Sequence, residues 1–362
     1  MAECLIMRRG GEFHELPVLN TSYPKDVTLV AAADGSATFI AQIATDGKPA
    51  EYTYQWYVNG SKVSGATSST YTKSGLTSAS TYTVYCTVTN KAGTVQSRVA
   101  TLTVKSYVPV KGDTFTCSGS LKVVDEKDYK WKIYFYGTTT FTPNIDMDVD
   151  IFCVGGGAGG GRQNVDGAGG GGGGGGYTTT VKAKTLKAGT AYALYIGAGG
   201  NSSGGGGGTT SVKNGSEILC TANGGENRSG SGDAYGGGDG GSGGGGAGRG
   251  YDSDGNGTFV KAGAGGTNGG NGGKGNFTVG VGQRTTTREF GESSGTQYAG
   301  GGGGTIMYGS YSNSPTLEPT YAAGGDGGGA AGFKSANDNT GGGGGGRGGS
   351  GGSGIIVIRS VR

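Results

Sequence analysis

The chain has 362 residues, a formal net charge of +3 and 88 glycines beside only 7 prolines. Acidic and basic residues are interspersed, so the charge pattern indicates neither nucleic-acid binding nor attachment to a membrane surface. No apolar run approaches the ~20 residues that cross a bilayer. The shortage of proline excludes a collagen triple helix, which also needs a strict Gly-X-Y repeat.

Residues 1–27 are predicted to form an N-terminal docking arm. Its apolar stretch is too short for a secretory signal peptide, so we expect a protein that is made in the cytoplasm and reaches its site without Sec export. The arm is expected to bind other proteins of an assembly through six adjacent residues, Cys4, Leu5, Ile6, Met7, Arg8 and Arg9. The alternative is a strand that folds back on its own domain.

Residues 28–105 contain short alternating runs that predict the five to seven strands of a β-sandwich. Asn-Gly at 59–60 predicts a hairpin turn, because both residues tolerate positive φ. The stretches "YQWYVNG" and "YTVYCTVTNKAG", with Trp56 and Cys86, resemble the immunoglobulin-like modules common in phage virion proteins. The second predicted strand has no cysteine, so we expect no intersheet disulfide and a Trp56 ring packed against apolar side chains.

Residues 106–362 are predicted to form a second all-β domain. "DVDIFCVGGG" runs from a strand directly into glycine, and "GGSGIIVIRSVR" leaves the last glycine tract as a strand. The tracts are therefore insertions between strands. In "YKWKIYF", Lys130 and Lys132 alternate with Trp131 and Ile133, which places the lysines on an outward face.

The glycine tracts carry a larger residue at every third position, as in "GGDGGSGGG" and "GGRGGSGGSG". A polyproline-II-type helix has three residues per turn and no internal hydrogen bonds, so its backbone groups must bond to neighbouring segments. We therefore predict an all-β fold, an immunoglobulin-like β-sandwich followed by a β-sandwich with an inserted lattice of polyglycine II helices. The alternative is flexible linkers, which the 20 Tyr and 10 Phe argue against.

Strand, glycine tract and closing strand together resemble a known domain. The run from "FTPNIDMDVDIFCVGGG" through "YALYIGAGG" to "GGSGIIVIR" is similar to the glycine-rich domain of many phage and prophage structural proteins, over roughly residues 130–362. A related module occurs in anaplastic-lymphoma-type receptor kinases, and tail-fibre adhesins of T-even-like phages use polyglycine lattices. The resemblance implies a virion protein located in the tail, the baseplate or the capsid surface. We expect a tail-tip or fibre role that includes host-surface binding, with several copies of the chain on the particle. Alternatives are a capsid or tail decoration protein and a bacterial surface adhesin.

The residues needed for catalysis are scarce. His14 is the one histidine, so a Ser–His–Asp triad or a multi-histidine zinc site would depend on it. We expect no enzymatic activity and no cofactor. "DSDGNG" places Asp252, Asp254 and Asn256 at the first, third and fifth positions of a calcium loop, but position 12 is Gly263 and not the bidentate glutamate. A polar turn is the alternative.

The five cysteines are widely spaced and include no CxxC pair, so we expect them to be buried thiols and not a disulfide framework.

The segment 283–323 interrupts the glycine pattern and is predicted to contact the host, either a glycan or a protein. Tyrosine and arginine are enriched at binding hot spots. The candidate contact residues are Arg284, Arg288, Phe290, Tyr298, Tyr308, Tyr311 and Tyr321. Two alternatives are that these aromatic rings form the missing core beneath the lattice and that they contact a neighbouring subunit.

Overall fold

The computed structural model describes residues 7–9, 12–161, 170–227, 237–241, 288–306, 320–321 and 323–361. The chain divides into two compact units, Met1–Pro109 and Val110–Arg362. Within the described ranges the regular elements are β-strands apart from one turn of 3-10 helix, so the all-β prediction is confirmed.

The first unit contains twelve described strands. They are β1 (Met7–Arg9), β2 (Glu12–His14), β3 (Val18–Leu19), β4 (Val27–Val30), β5 (Ser36–Ile40), β6 (Ile43–Thr45), β7 (Thr53–Val58), β8 (Ser61–Lys62), β9 (Thr70–Ser74), β10 (Ser80–Asn90), β11 (Gly93–Gln96) and β12 (Ala100–Lys105). One sheet has the order β4-β12-β10-β7-β8, with β11 also paired to β10, and the pairs β1-β2, β3-β6 and β5-β9 form two-stranded sheets.

The core of the first unit is built around Trp56, whose side chain is fully buried. Its ring stacks on Tyr71 at a centroid distance of 5.8 Å and lies 6.5 Å from Phe39. Its Nε1–H donates to the carbonyl of Ser68 at 2.9 Å, which satisfies the only polar atom of the side chain. Cys86 lies opposite Trp56 in the β7–β10 pair as a free thiol.

The second unit contains a further twelve described strands. They are β13 (Phe115–Cys117), β14 (Leu121–Lys127), β15 (Lys130–Phe135), β16 (Thr139–Pro143), β17 (Met147–Val154), β18 (Thr178–Leu186), β19 (Tyr192–Tyr195), β20 (Thr210–Asn214), β21 (Glu217–Ala222), β22 (Thr305–Ile306), β23 (Thr320–Tyr321) and β24 (Ile355–Ser360), with the 3-10 turn at Glu289–Gly291. Two five-stranded sheets result, β13-β16-β19-β20-β21 and β14-β15-β24-β17-β18, while β22 and β23 pair with each other.

The two five-stranded sheets enclose a hydrophobic core to which both contribute. Ile133 and Phe135 of β15 point into it from one sheet, and Phe141 of β16 points into it from the other. The rings of Phe135 and Phe141 meet edge to face at a centroid distance of 5.4 Å. This alternation of inward and outward residues is what the sequence predicts for half-buried strands.

Glycine segments are inserted between these strands and bond to one another. Residues 341–347 donate backbone N–H groups to 300–303 (from Gly343 and Gly346), to 158–161 (from Gly344 and Arg347) and to Lys334 (from Gly345). The carbonyls of the same segment accept from 173–176, 330–333 and 349–352. Five neighbouring segments are each contacted at two positions three residues apart, and Lys334 continues the neighbour 330–333. The hydrogen bonds between segments therefore satisfy the buried backbone N–H and C=O groups, which have few side chains nearby to bond to.

The close approach of the segments explains why their residues are glycine. A Cβ added at Gly343 would lie closer than 3.0 Å to the carbonyl oxygen of Gly173, and one added at Gly160 would meet Gly345 in the same way. Real Cβ atoms do not adopt such distances. The lattice therefore depends on the missing side chains.

Candidate functional site

The glycine segments next to β17 and β18 have one end at the sheet and one end away from it. The segment 155–161 begins directly after β17, and the N–H of Gly155 bonds to Tyr177, which precedes β18. At its other end, Gly161 accepts a hydrogen bond from Arg347, and Thr305 bonds to Gly170. The segments 155–161, 170–176 and 341–347 therefore have neighbouring ends that lie away from β17 and β18.

Side chains reappear at these ends. We call the following described residues the far-end surface: Asn201, Ser202, Ser203, Asn227, Phe333, Lys334 and Arg347. Direct contacts join neighbouring parts of it. The Asn227 side-chain amide donates to the carbonyl of Gly204 at 2.6 Å, and the guanidinium of Arg347 lies 5.9 Å from the ring centroid of Phe333.

The turns of the far-end surface are fixed locally. The Asn201 Oδ1 accepts from the backbone N–H of Ser203 at 3.1 Å and of Gly205 at 3.2 Å, so the side chain holds its own turn. Ser202 and Ser203 are left exposed, as are Phe333 and Lys334. This surface offers hydroxyl groups, an aromatic face and two cationic side chains.

A second feature lies on the outer face of the sheet that contains β17. Residues 288–299, which we call the docked segment, cover part of this face. Phe290 and Tyr298 are each 5% exposed and pack on Phe152 of β17, with ring centroids 5.8 and 5.6 Å away. Phe152, Phe290 and Tyr298 belong to a small hydrophobic core that is separate from the core between the two sheets.

Buried charges attach the docked segment to the sheet. Glu289, buried, accepts hydrogen bonds from the hydroxyl groups of Tyr134 at 3.1 Å and Tyr298 at 2.8 Å. Its carboxylate is also 3.1 Å from the Lys132 ammonium, which pairs with Glu126 at 2.9 Å. Because every one of these groups has an opposite charge or a hydrogen-bond donor beside it, the cost of burying the charges is offset.

A further ion pair continues the network. Arg359 of β24 bonds to Asp150 of β17 at 3.0 Å and to Glu292 of the docked segment at 2.6 Å. The same guanidinium lies over the Phe290 ring. The network therefore joins four strands, β14, β15, β17 and β24, to a segment that is distant in sequence from all of them.

The network shifts the pKa values of its members. Burial raises the pKa of the Tyr134 and Tyr298 hydroxyl groups well above the usual range, and the negative charge of Glu289 adds to the rise. Burial acts to lower the pKa of Lys132, but hydrogen bonds and charges from Glu126 and Glu289 outweigh it, so the pKa is raised. The raised pKa values keep the two tyrosines neutral and Lys132 charged at neutral pH. This is what a structural cluster of buried charges requires.

The predicted contact residues fall into three groups in the structure. Phe290 and Tyr298 are core residues of the docked segment, which is the alternative role considered for the aromatic rings of 283–323. Arg288 donates from its guanidinium to the carbonyl of Gly295 at 2.9 Å, and Tyr321 belongs to β23, paired with Thr305. Arg284, Tyr308 and Tyr311 lie outside the described residues.

The predicted docking arm is described only in part. Met7, Arg8 and Arg9 form β1, which pairs with β2 in an antiparallel hairpin, and the Glu15–Lys48 bridge ties the following residues to the first unit. Cys4, Leu5 and Ile6 lie outside the described residues. Whether the arm binds a partner stays a prediction.

The candidate calcium residues Asp252, Asp254 and Asn256 also lie outside the described part. Within that part, no group of three or more His, Cys, Asp or Glu side chains is arranged to hold a metal ion.

The burial of the Lys132 side chain differs from the sequence-based prediction, which places it on an exposed face. Alternation correctly places it on the face opposite Trp131, but its side chain is 9% exposed because the docked segment covers that face. Lys130, on the same face, stays exposed. Sequence reasoning also missed Glu289 and Arg359 as partners, since nothing in their local pattern indicates which residues they meet.

Comparison with known proteins places the second unit in a family. The described residues contain no helix with the length and apolar character that a membrane crossing requires, and a search of curated proteins found no match. A family model described as a glycine-rich domain matches residues 135–361, well over half of the chain. The protein therefore belongs to the glycine-rich domain family.

Proposed function

We propose that this is a virion protein of a bacteriophage, in a tail-tip or fibre position, whose far-end surface binds a glycan or protein of the host cell. The observation that carries the proposal is the separation of a body made of glycine from an end that bears side chains. The glycine segments offer a ligand almost no functional groups, whereas the far-end surface gathers Asn227, Phe333, Lys334 and Arg347 at the turns.

We infer that the glycine segments are polyglycine II helices. The hydrogen bonds of 341–347 return to the same neighbour after three residues, and three residues per turn is the period of that helix. A lattice of this kind suits a receptor-binding role, because the glycine segments that lead into each far-end turn are hydrogen-bonded to several neighbouring segments. Preorganised turns lose less conformational entropy when they bind.

The chemistry of the far-end surface fits a polar, partly anionic ligand such as a surface polysaccharide. The Phe333 ring, 39% exposed, provides a face on which a sugar ring can stack. Lys334 and Arg347 can donate hydrogen bonds to carboxylate or phosphate groups, and Ser202 and Ser203 to hydroxyl groups.

The rest of the chain has supporting roles in this proposal. The first unit acts as an immunoglobulin-like spacer, the N-terminal arm binds other virion proteins, and several copies of the chain assemble on the particle. The resemblance of "YQWYVNG" and "YTVYCTVTNKAG" to phage modules supports the first of these roles.

The test compares two variants of similar chemistry. Phe333→Ala/Arg347→Ala removes the ring–cation pair of the far-end surface, and Tyr195→Ala/Lys213→Ala removes an exposed ring–cation pair with 5.4 Å between them on a sheet face. Labelled protein is titrated against a panel of bacterial cells and their purified surface polysaccharides. We expect at least roughly tenfold weaker binding by the far-end variant only, at unchanged melting temperature.

Two results would count against the proposal. Equal binding by wild type and the far-end variant removes the receptor role of this surface. Absence of binding by wild type, combined with immunogold labelling along a capsid or tail and reduced particle stability in its absence, supports the alternative of a decoration protein.

A further inference from the structure

Two buried cysteines face each other across the core of the second unit. Cys153 lies on β17 and is fully buried, and Cys220 lies on β21 and is 3% exposed. The two strands belong to different five-stranded sheets. Both cysteines are free thiols.

Strand register places the two side chains side by side. Thr179 of β18 is directly opposite Cys153 in the antiparallel β17–β18 pair, and the Cys220 Sγ donates to the Thr179 carbonyl at 3.8 Å. Opposite residues in such a pair have Cα atoms roughly 4.5–5.5 Å apart, so the Cys220 sulfur reaches the immediate surroundings of Cys153. Both cysteines belong to the hydrophobic core between the two sheets. Cys117, by contrast, contacts the hydroxyl of Thr139.

The surroundings of the pair restrict its chemistry. Burial raises the pKa of the Cys153 thiol, and the neighbouring Cys220 raises it further. Because the thiolate is the nucleophile, the pair reacts slowly at neutral pH, and its burial excludes bulky oxidants from the folded protein. The dithiol is therefore expected to persist in a reducing cytosol.

We propose that Cys153 and Cys220 are a modification site that hydrogen peroxide oxidises to a disulfide linking the two sheets. One thiol attacks the peroxide, the O–O bond breaks, and a sulfenic acid and one molecule of water form. The second thiol then displaces hydroxide from the sulfenic acid, its proton completes a second water, and the S–S bond forms. Two thiols are oxidised and one peroxide is reduced to two waters.

The disulfide stabilises the second unit in its folded form. It closes the chain between residues 153 and 220, a loop that contains the glycine segments 155–161, 170–176, 197–201 and 204–208. Glycine gains more conformational freedom on unfolding than any other residue, so restricting this loop in the unfolded state has a large effect. We expect a rise in melting temperature of roughly 5–10 °C.

The experiment treats native protein with hydrogen peroxide and maps its peptides without reduction. We expect a mass lower by two hydrogen atoms, a Cys153–Cys220 linked peptide, and a higher melting temperature that a reductant reverses. Cys117→Ala, the matched control, should behave like wild type, whereas Cys220→Ala should gain no stability.

A second measurement tests the proposal even if peroxide enters the folded core slowly or a cysteine variant fails to fold. Wild-type protein is refolded in a mixture of reduced and oxidised glutathione, where both thiols are accessible before the core closes. The linked peptide should be the main disulfide product. Folded protein that keeps both thiols free by this route, or that joins either cysteine to another partner, would overturn the proposal.

Discussion

The guanidinium of Arg359 lies over the ring of Phe290, with its Cζ 4.1 Å from the ring centroid. The arginine belongs to the last strand and the phenylalanine to the docked segment. A cation over an aromatic face in a partly desolvated site contributes about 1–2 kcal/mol. Together with the Arg359–Glu292 ion pair, this contact fixes the docked segment on the outer face of the sheet.

Removing the buried carboxylate at the centre of the network should destabilise the protein. In Glu289→Ala, the Tyr298 hydroxyl loses its acceptor, and Lys132 keeps Glu126 as its close partner. We expect a loss of about 2–4 kcal/mol in the free energy of unfolding, because the remaining polar groups stay buried and incompletely paired. Urea denaturation measures it.

The control for this variant is an exposed ion pair. Lys187 and Asp146 are 2.8 Å apart with side chains 65% and 54% exposed. Exposed pairs contribute little because water and salt screen them, so Lys187→Ala should leave the urea midpoint nearly unchanged. Equal effects of the two substitutions would mean that the buried network has no special role.

Alkaline pH should weaken the second unit through Tyr134 and Tyr298. Their folded-state pKa values are raised above the ordinary value of 10.0, so above about pH 10 the unfolded chain loses protons that the folded protein retains. This contribution to stability is complete below the unfolded pKa and is lost as pH rises. Each tyrosine should reduce the free energy of unfolding by about 1.4 kcal/mol per pH unit in that window.

The measurement is urea denaturation at several pH values from 9 to 11. Tyr298→Phe keeps the ring and removes the titrating hydroxyl, so its stability should fall less steeply with pH than that of wild type. Identical slopes would show that Tyr298 titrates normally in the folded protein.

Adjacent glycines of one segment should respond differently to alanine. A Cβ at Gly207 would overlap the carbonyl of Gly156, whereas the nearest atom to a Cβ at Gly206 is the carbonyl oxygen of Gly225 at 3.5 Å. We expect Gly207→Ala to cost roughly 3 kcal/mol by forcing two segments apart. Gly206→Ala should be tolerated.

The melting temperatures of the Gly206→Ala and Gly207→Ala variants, measured under the same conditions, test this prediction. The larger residues of the tracts, such as Arg347 and Ser350, should accept substitution as Gly206 does. Equal tolerance at Gly206 and Gly207 would contradict a close-packed lattice.

The aromatic residues predicted to contact the host should separate into two classes. Phe290→Ala removes a buried ring that packs on Phe152 and should lower the free energy of unfolding by about 3–5 kcal/mol. The triple substitution Tyr308→Ala, Tyr311→Ala and Tyr321→Ala should weaken binding to host cells without changing the melting temperature. A large drop in melting temperature for the triple variant would assign those rings to the core as well.

Deletion of residues 2–12 tests the docking arm. This deletion removes β1 and the first residue of β2, but it leaves the Glu15–Lys48 bridge and the core around Trp56 in place. We expect a folded protein that no longer incorporates into particles, as judged by circular dichroism and by immunoblots of purified particles. Normal incorporation would indicate that the hairpin serves the first unit alone.

Short-range features of this protein follow from the sequence alone. Alternating side chains identify the strands because a strand that is buried on one face must alternate. The turn at Asn59 and Gly60 has positive φ at both residues, 49° and 77°, as the Asn-Gly pattern predicts. The three-residue spacing in the glycine tracts agrees with the three-residue period of the hydrogen bonds between segments.

Contacts between distant residues were decided by the tertiary structure. The strand pattern predicts an exposed Lys132, and only the docked segment, which lies more than 150 residues later in the chain, buries it against Glu289. Likewise, nothing in the local sequence around Cys153 or Cys220 indicates that the packing of the two sheets brings both thiols into one core. A local sequence pattern indicates which face of a strand packs against the core. It does not indicate which distant residues cover the other face, because those contacts depend on long-range packing.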